Sequence, residues 1–167
     1  DTNDAYNRLD FMSSKTIINP GIVMSGTGNN VSAVGQRNYT GTSGRNEVIV
    51  INNGTIKQTG QNVIGIVTDY GNITNAGLIS STGDNSIGIY GANGTISKNT
   101  GKIEIGNTGI GIYGGNLLTA SAPGYGDQKI EIENDSEIKS AGATGGIGIY
   151  ADNTALALGD STVKLGT

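Results

Sequence analysis

The tetrapeptide Ile87-Gly88-Ile89-Tyr90 is the centre of a repeat that runs along most of the chain. The same pattern returns, with one change, as Ile64-Gly65-Ile66-Val67, Ile110-Gly111-Ile112-Tyr113 and Ile147-Gly148-Ile149-Tyr150. The glycines at positions 65, 88, 111 and 148 lie 23, 23 and 37 residues apart. The last interval is therefore one period plus about 14 inserted residues, and a period of this length indicates a solenoid of stacked repeats.

Two further apolar segments follow each tetrapeptide, and they are clearest as Gly94-Thr95-Ile96 and Gly101-Lys102-Ile103-Glu104-Ile105. We align the first with Gly54-Thr55-Ile56 and Gly71-Asn72-Ile73. We align the second with Gly77-Leu78-Ile79, Ile130-Glu131-Ile132-Glu133 and Val163-Lys164-Leu165. Because Gly, Asn and Thr separate the segments, each period is predicted to hold three short strands joined by tight corners.

Alternation of side chains along a strand predicts which of them face the interior. It places these residues inside: Ile87, Ile89, Ile96, Ile103 and Ile105. It places these outside: Gly88, Tyr90, Thr95, Lys102 and Glu104. The predicted fold is all-β, a parallel β-helix of about five turns with three short strands each and a period near 23 residues. A right-handed coil is preferred, because a left-handed coil built from hexapeptides uses about 18 residues per turn.

The repeat also divides the chain. Residues 1–16 show no repeat and are predicted to form an irregular N-terminal edge. Residues 17–167 are predicted to form the β-helix, with insertions at about 36–46 and 116–129 that interrupt the period. The chain begins at Asp1 without an initiator Met and stops at Thr167 where another turn would begin. We therefore interpret it as a fragment whose targeting and anchoring segments lie elsewhere.

Composition excludes several classes of function. The net charge is −4 and the ten basic residues are scattered, so no nucleic-acid partner is predicted. The chain contains no Cys, His or Trp, which excludes a thiol nucleophile, a Cys/His zinc site and a histidine base. The Gly-Gly-x-Gly-x-Asp calcium repeat is absent, so neither a metal nor a cofactor is predicted. No apolar run reaches the roughly 18 residues of a membrane-spanning helix.

The two insertions contain most of the candidate ligand-contact residues. Leu117, Leu118 and Tyr125 lie in the longer one, and loops extruded from solenoids often bind partners. Alternatively, this loop covers apolar side chains on one flank of the coil. The shorter insertion contains two cationic side chains and one aromatic side chain, namely Arg37, Arg45 and Tyr39. Together they could bind a carboxylate, a sulfate or a sugar ring. The alternative is an ordinary solvated loop.

Tyr90 and Tyr113 are further candidates for ligand contact, because they occupy the same place in neighbouring periods. Together with Tyr150 they are predicted to form an outward ladder. Such a ladder can bind glycans, and it can equally stabilise stacked strands through ring contacts, which is the role we favour.

Three segments of the repeat resemble the repeats in passenger domains of large bacterial autotransporters, and they are Asn93 to Ile96, Thr100 to Ile105 and Thr108 to Gly114. Within that class they are most similar to the repeats of fusobacterial outer-membrane adhesins. The resemblance covers about residues 20–167. It implies export through the outer membrane to the bacterial cell surface and attachment to host cells or other bacteria. The partner would be a surface receptor, protein or glycan. The lack of cysteine agrees with that export route.

Two alternative functions stay open. Parallel β-helices also occur in polysaccharide lyases and hydrolases, whose acidic residues converge on one strand face. The aspartates of this chain occupy unequal places in the repeat and are not aligned on one strand face, and they are Asp69, Asp84, Asp127, Asp152 and Asp160. No catalytic residue and no enzyme activity are therefore predicted. The second alternative is a trimeric autotransporter head, which the segment Asn30 to Gly35 resembles. Its shorter repeats differ from the 23-residue period, so a monomeric coil is favoured.

Overall fold

The computed structural model describes residues 9–10, 15–36, 47–68, 70–92, 95–115, 131–142, 144–152 and 162–165. These residues form 17 strands and no helix, and the strands, numbered along the chain, make three parallel sheets of six, six and five strands.

The first sheet consists of β1 (Leu9–Asp10), β4 (Ser32–Gln36), β7 (Ile64–Thr68), β10 (Ile87–Ala92), β13 (Ile110–Gly115) and β16 (Ile147–Asp152). The second sheet consists of β2 (Lys15–Ile18), β5 (Val48–Asn52), β8 (Gly71–Asn75), β11 (Ile96–Asn99), β14 (Glu131–Asn134) and β17 (Thr162–Leu165). The third sheet consists of β3 (Val23–Gly26), β6 (Thr55–Gln58), β9 (Leu78–Ser81), β12 (Lys102–Ile105) and β15 (Ile138–Ser140).

Each strand pairs in parallel with the strand three positions further along the chain, so the chain visits the three sheets in turn. Ile89 of β10, for example, pairs with Ile66 of β7 on one side and with Ile112 of β13 on the other. This is a parallel β-helix of about five turns with three strands per turn. The fold predicted from the 23-residue repeat is confirmed.

Equivalent apolar side chains stack along the coil to make one continuous core. The first-sheet column of Ile66, Ile89 and Ile112 is fully buried, and so is the third-sheet column of Ile56, Ile79 and Ile103. Paired strands lie about 4.8 Å apart, so each side chain is covered mainly by its equivalents in the turns before and after it. Burial of this kind stabilises a turn only when its neighbours are present.

The repeated glycine faces the interior, which corrects the predicted placement of Ile87 inside and Gly88 outside. A Cβ atom added at Gly88 would lie 2.5 Å from Cγ2 of Ile103, a fully buried side chain. Gly88 and Ile89 are both buried, whereas Ile87 is partly exposed and lies outside the core cluster. Strict alternation fails here because the consecutive residues Gly88 and Ile89 are both buried, and the absence of a side chain at Gly88 makes room for the third-sheet isoleucine.

The predicted faces of the second-sheet strand in the central turn are also wrong. Thr95 is 1% exposed and Ile96 is 42% exposed, the reverse of the prediction. The paired residues show why, because Ser97 and not Ile96 pairs with Ile73 of the preceding turn. The sequence alignment was one residue out of register, and a shift of one residue moves every side chain of a strand to the opposite face.

Three segments belong to a different sheet from the one that we aligned them with. Gly54-Thr55-Ile56 leads into the third sheet, where Ile56 pairs with Ile79. Ile132 pairs with Ser97 and Val163, so the strands β14 and β17 lie in the second sheet. Short Gly-x-Ile segments in the second and third sheets are alike in sequence, and only strand pairing distinguishes them. Pairing also begins before residue 17, since Leu9–Asp10 pairs with β4 and Lys15–Ile18 with β5.

Candidate functional site

The loop residues proposed for ligand contact lie outside the described residues, and they are Arg37, Tyr39, Arg45, Leu117, Leu118 and Tyr125. Their role in ligand contact stays a prediction. What the structure does show is where the strands that flank these segments lie. Residues 37–46 follow β4, residues 116–130 follow β13 and residues 153–161 follow β16. Each of these strands belongs to the first sheet, and each segment leads to the second sheet.

All three long connections therefore start from the same corner of the coil, which we call the loop corner and define by Gln36, Gly115 and Asp152. The strands β13 and β16 are adjacent in the first sheet, and β4 and β13 are three steps apart. At about 4.8 Å per step the three starting points span roughly 19 Å along one side. The other two corners carry the short connections of the repeat.

Acidic residues flank the long connections at this corner. Glu47 follows the first segment and accepts a hydrogen bond from the Asn72 amide nitrogen. Glu131 is the first residue of β14, directly after the second segment, and Asp152 ends β16 directly before the third. The described part of the loop corner is therefore suited to basic or hydroxyl-bearing groups of a partner rather than to anionic groups.

The three predicted tyrosines do form a ladder. The ring centroids of Tyr90 and Tyr113 are 4.7 Å apart at an interplanar angle of 40°, and those of Tyr113 and Tyr150 are 5.3 Å apart at 22°. Burial raises the pKa of the Tyr113 phenol above its ordinary value of 10.0, and the charges of Asp152 and Tyr150 raise this pKa further. The phenol is therefore neutral across the physiological range.

Ring contacts bear on the two roles predicted for Tyr90 and Tyr113, and both roles stay predictions. A sugar that binds to an aromatic ring packs against its face, but in this ladder the faces are directed at the neighbouring rings. Of the two predicted roles, the geometry supports stabilisation of stacked strands and offers a sugar no free ring face on Tyr113.

A buried asparagine ladder runs through the second sheet, and the sequence alignment missed it. Asn52 donates from Nδ2 to Oδ1 of Asn75, Asn75 donates to Asn99, and Asn99 donates to Asn134, at 2.7 Å each. The first three of these side chains have no solvent exposure. A sequence signal exists, because Asn52, Asn75 and Asn99 lie 23 and 24 residues apart and each precedes a glycine by two positions.

A second polar column lies at the corner that leads into the first sheet. Asn30, Asn62, Asn85 and Thr108 have φ values of 58°, 54°, 56° and 54°. Asparagine tolerates this left-handed conformation better than most residues, which explains its recurrence there. The Asn62 amide donates to Asn30 Oδ1 at 3.0 Å, and the Asn85 amide donates to Asn62 Oδ1 at 3.3 Å. The column fixes the corner in successive turns and leaves its amides at the surface.

Charged groups on the outer face are paired across turns. Lys98 Nζ lies 3.3 Å from Glu133 Oε1 on the second sheet, and the Ser80 hydroxyl donates to Glu104 at 2.9 Å on the third. Glu131 and Glu133 lie in the second sheet and Glu104 in the third, although the sequence alignment gave their segments the same place in the repeat. Within the described ranges, no three Asp or Glu side chains come together in a way that could hold a metal ion.

The described part of the chain has no α-helix of the length and apolar character that crossing a membrane requires. Comparison of the chain with protein-family models, with curated proteins and with solved structures gave no match.

Proposed function

We propose that this chain is a segment of a bacterial surface adhesin in which the β-helix is a stalk and the segments at the loop corner carry attachment. The receptor is a protein or glycan on host cells or on other bacteria. The observation that carries the proposal is the common origin of all three long connections at one corner of a regular coil. A stalk that displays binding segments needs them on one side, where a single receptor can meet several of them.

The rest of the coil supports a stalk. Columns of isoleucine, asparagine and tyrosine each run through at least three successive turns, so the coil is stabilised along its axis by contacts that need no ligand. The acidic flanks Glu47, Glu131 and Asp152 favour a receptor that presents basic or hydroxyl groups. Neutral glycans and basic protein surfaces fit the chemistry of these flanks.

Replacement of the loop segments tests the proposal. In one variant, residues 116–130 are replaced by Asn-Gly-Thr, the connection that the chain itself uses between β10 and β11. In the matched variant, residues 37–46 are replaced in the same way. Binding of the unmodified chain and of both variants is measured on a glycan array and on cultured host and bacterial cells, and circular dichroism checks that the sheets persist.

We expect the unmodified chain to bind and at least one replacement to abolish binding. If both variants bind as well as the unmodified chain, these two segments are not the attachment site. If the unmodified chain binds nothing, the segment acts as a spacer only. Release of oligosaccharides from a neutral or acidic polysaccharide would instead favour the lyase or hydrolase alternative.

The proposed location is the bacterial surface, reached by export through the outer membrane. The absence of cysteine supports this, because no disulfide can form before the chain has crossed. Antibodies raised against the chain should label intact cells of the source bacterium, and protease added outside the cells should remove the label. Label that appears only after lysis contradicts the proposed location.

A further inference from the structure

Polar side chains line the corner that leads from the third sheet to the first. In four successive turns this corner contains two adjacent polar residues, and backbone hydrogen bonds hold these turns in register. We call it the amide corner and define it by these pairs: Asn29 and Asn30, Gln61 and Asn62, Asp84 and Asn85, Asn107 and Thr108. Six of the eight side chains end in an amide. The amide corner is distinct from the loop corner, which joins the first sheet to the second.

The second residue of each pair is exposed and yet held in one orientation. These residues have the left-handed φ, and they are Asn30, Asn62, Asn85 and Thr108. The Asn62 and Asn85 amides donate to the preceding asparagine of the column, and the Thr108 hydroxyl donates to Asn85 Oδ1 at 2.5 Å. Three hydrogen bonds between turns thus orient four exposed side chains. Groups that are ordered in advance bind a partner without the entropy loss of becoming ordered.

The two central amides of this column keep hydrogen-bonding capacity. A side-chain amide has two N–H donors and an oxygen with two lone pairs. Asn62 and Asn85 each donate once and accept once within the column. One donor and one lone pair therefore remain on each of these exposed side chains. The same two groups recur from turn to turn at about 4.8 Å, the strand spacing.

The neighbouring column adds groups of the same kind. Asn29 and Gln61 are exposed, and Asn29 Oδ1 accepts the Gln61 backbone N–H at 2.8 Å. Asp84 is the ionisable residue among the eight, and its Oδ1 accepts a hydrogen bond from Asn107 Nδ2 at 3.0 Å. The amide corner thus presents mainly uncharged groups that both donate and accept. Hydroxyl groups also donate and accept, so a partner rich in uncharged hydroxyls matches this surface.

We propose that the amide corner binds an extended, uncharged polysaccharide that lies along the coil axis and hydrogen-bonds to successive turns. Its four turns are three steps apart, so the site is about 14 Å long. A chain in this direction meets the same groups at every turn, and each contact makes the next one intramolecular. The site lies on the coil itself. It goes beyond the attachment proposed for the loop corner and does not depend on it.

Oligosaccharides of one composition and two shapes test the proposal. Cello-oligosaccharides are straight chains of glucose, whereas malto-oligosaccharides of the same length curve. Binding of both series to the unmodified chain is measured by titration calorimetry. We expect the affinity for the straight series to rise with chain length until the sugar covers about 14 Å, and then to level off. We expect the curved series to bind at least about tenfold more weakly, which corresponds to about 1.4 kcal/mol.

A double variant tests the position of the site. Asn62→Gly combined with Asn85→Gly removes the two central amides, and glycine adopts the left-handed φ without strain, so the corner keeps its backbone. The control is Asn53→Gly, the same substitution at an exposed asparagine between the second and third sheets. We expect the double variant to bind the longest straight oligosaccharide at least about tenfold more weakly, and Asn53→Gly to bind it unchanged. Circular dichroism checks that both retain the sheets.

The loop replacements described above separate this site from the loop corner. Replacement of residues 116–130 or 37–46 should leave binding of the straight oligosaccharides unchanged, whatever it does to attachment to cells. Cell attachment that survives both replacements counts against the loop corner and leaves the amide corner standing.

Four results would overturn the proposal. The first is no binding of the straight series at any concentration up to its solubility limit. The second is an affinity that does not change with the length of the oligosaccharide, which indicates a site for one sugar unit. The third is a double variant that binds as well as the unmodified chain. The fourth is loss of oligosaccharide binding when a loop segment is replaced, which places the sugar at the loop corner.

Discussion

Asn75 shows what one polar side chain contributes inside this coil. It accepts a hydrogen bond from Asn52 and donates one to Asn99, and it has no solvent exposure. Asn75→Ala would leave a buried donor on Asn52 and a buried acceptor on Asn99 unpaired, each at about 1–3 kcal/mol. We expect the free energy of unfolding to fall by about 2–4 kcal/mol in urea denaturation. Asn53→Ala, at an exposed neighbouring position, is the control and should change it by less than about 0.5 kcal/mol.

Tyr113 makes the stability of the ladder dependent on pH. Its pKa is raised in the folded chain above the ordinary 10.0, chiefly by burial and then by Asp152 and Tyr150. The folded state thus holds this proton more tightly than the unfolded state does. The resulting stability is fully present below pH 10 and is lost as the pH rises from there through the folded pKa. Tyr113→Phe keeps a ring but cannot ionise. The free energy of unfolding, measured by urea denaturation from pH 8 upward, should therefore fall less steeply with pH for this variant than for the unmodified chain. Equal slopes would contradict the assignment.

At the scale of an element, the glycine of the repeated tetrapeptide is needed only where another turn is packed against it. A Cβ at Gly88 would lie 2.5 Å from Ile103 Cγ2 and 2.6 Å from the Gly111 carbonyl oxygen, whereas one at Gly148 would meet nothing within 4 Å. Gly88→Ala should therefore lower the free energy of unfolding by about 1–3 kcal/mol through overpacking. Gly148→Ala, the same substitution in the same motif, should be close to neutral. Thermal and urea denaturation compare the two, and equal losses would show that the glycine acts through the backbone instead.

At the scale of the whole molecule, stability should be graded along the axis. Turns in the middle are covered on both sides, and the outermost described turns contain the exposed and partly buried apolar residues. Hydrogen exchange followed by mass spectrometry should show the slowest amide exchange in β7, β10 and β13, and faster exchange in β3 and β15. Uniform exchange along the coil would contradict a core built turn by turn.

The periodic residues of the sequence were sufficient to predict the architecture. The 23-residue spacing of Ile-Gly-Ile-Tyr predicted that equivalent strands stack in parallel, and the two further apolar segments in each period predicted three strands per turn. It also predicted the tyrosine ladder, because the same residue at the same place in adjacent parallel strands must lie side by side. The loop segments were found as interruptions of that spacing, and their ligands stay predictions.

Tertiary structure alone decided which side of a strand faces inward and which sheet a short segment joins. Ser97 takes the interior place that Ile96 was expected to hold, because register depends on pairing with Ile73, a contact between residues far apart in sequence. Gly88 faces the core because Ile103, from another strand of the coil, fills the space beside it. The sequence by itself determined the period and hence the stack. Pairing across turns determined the faces, since a shift of one residue inverts a strand without changing the repeat.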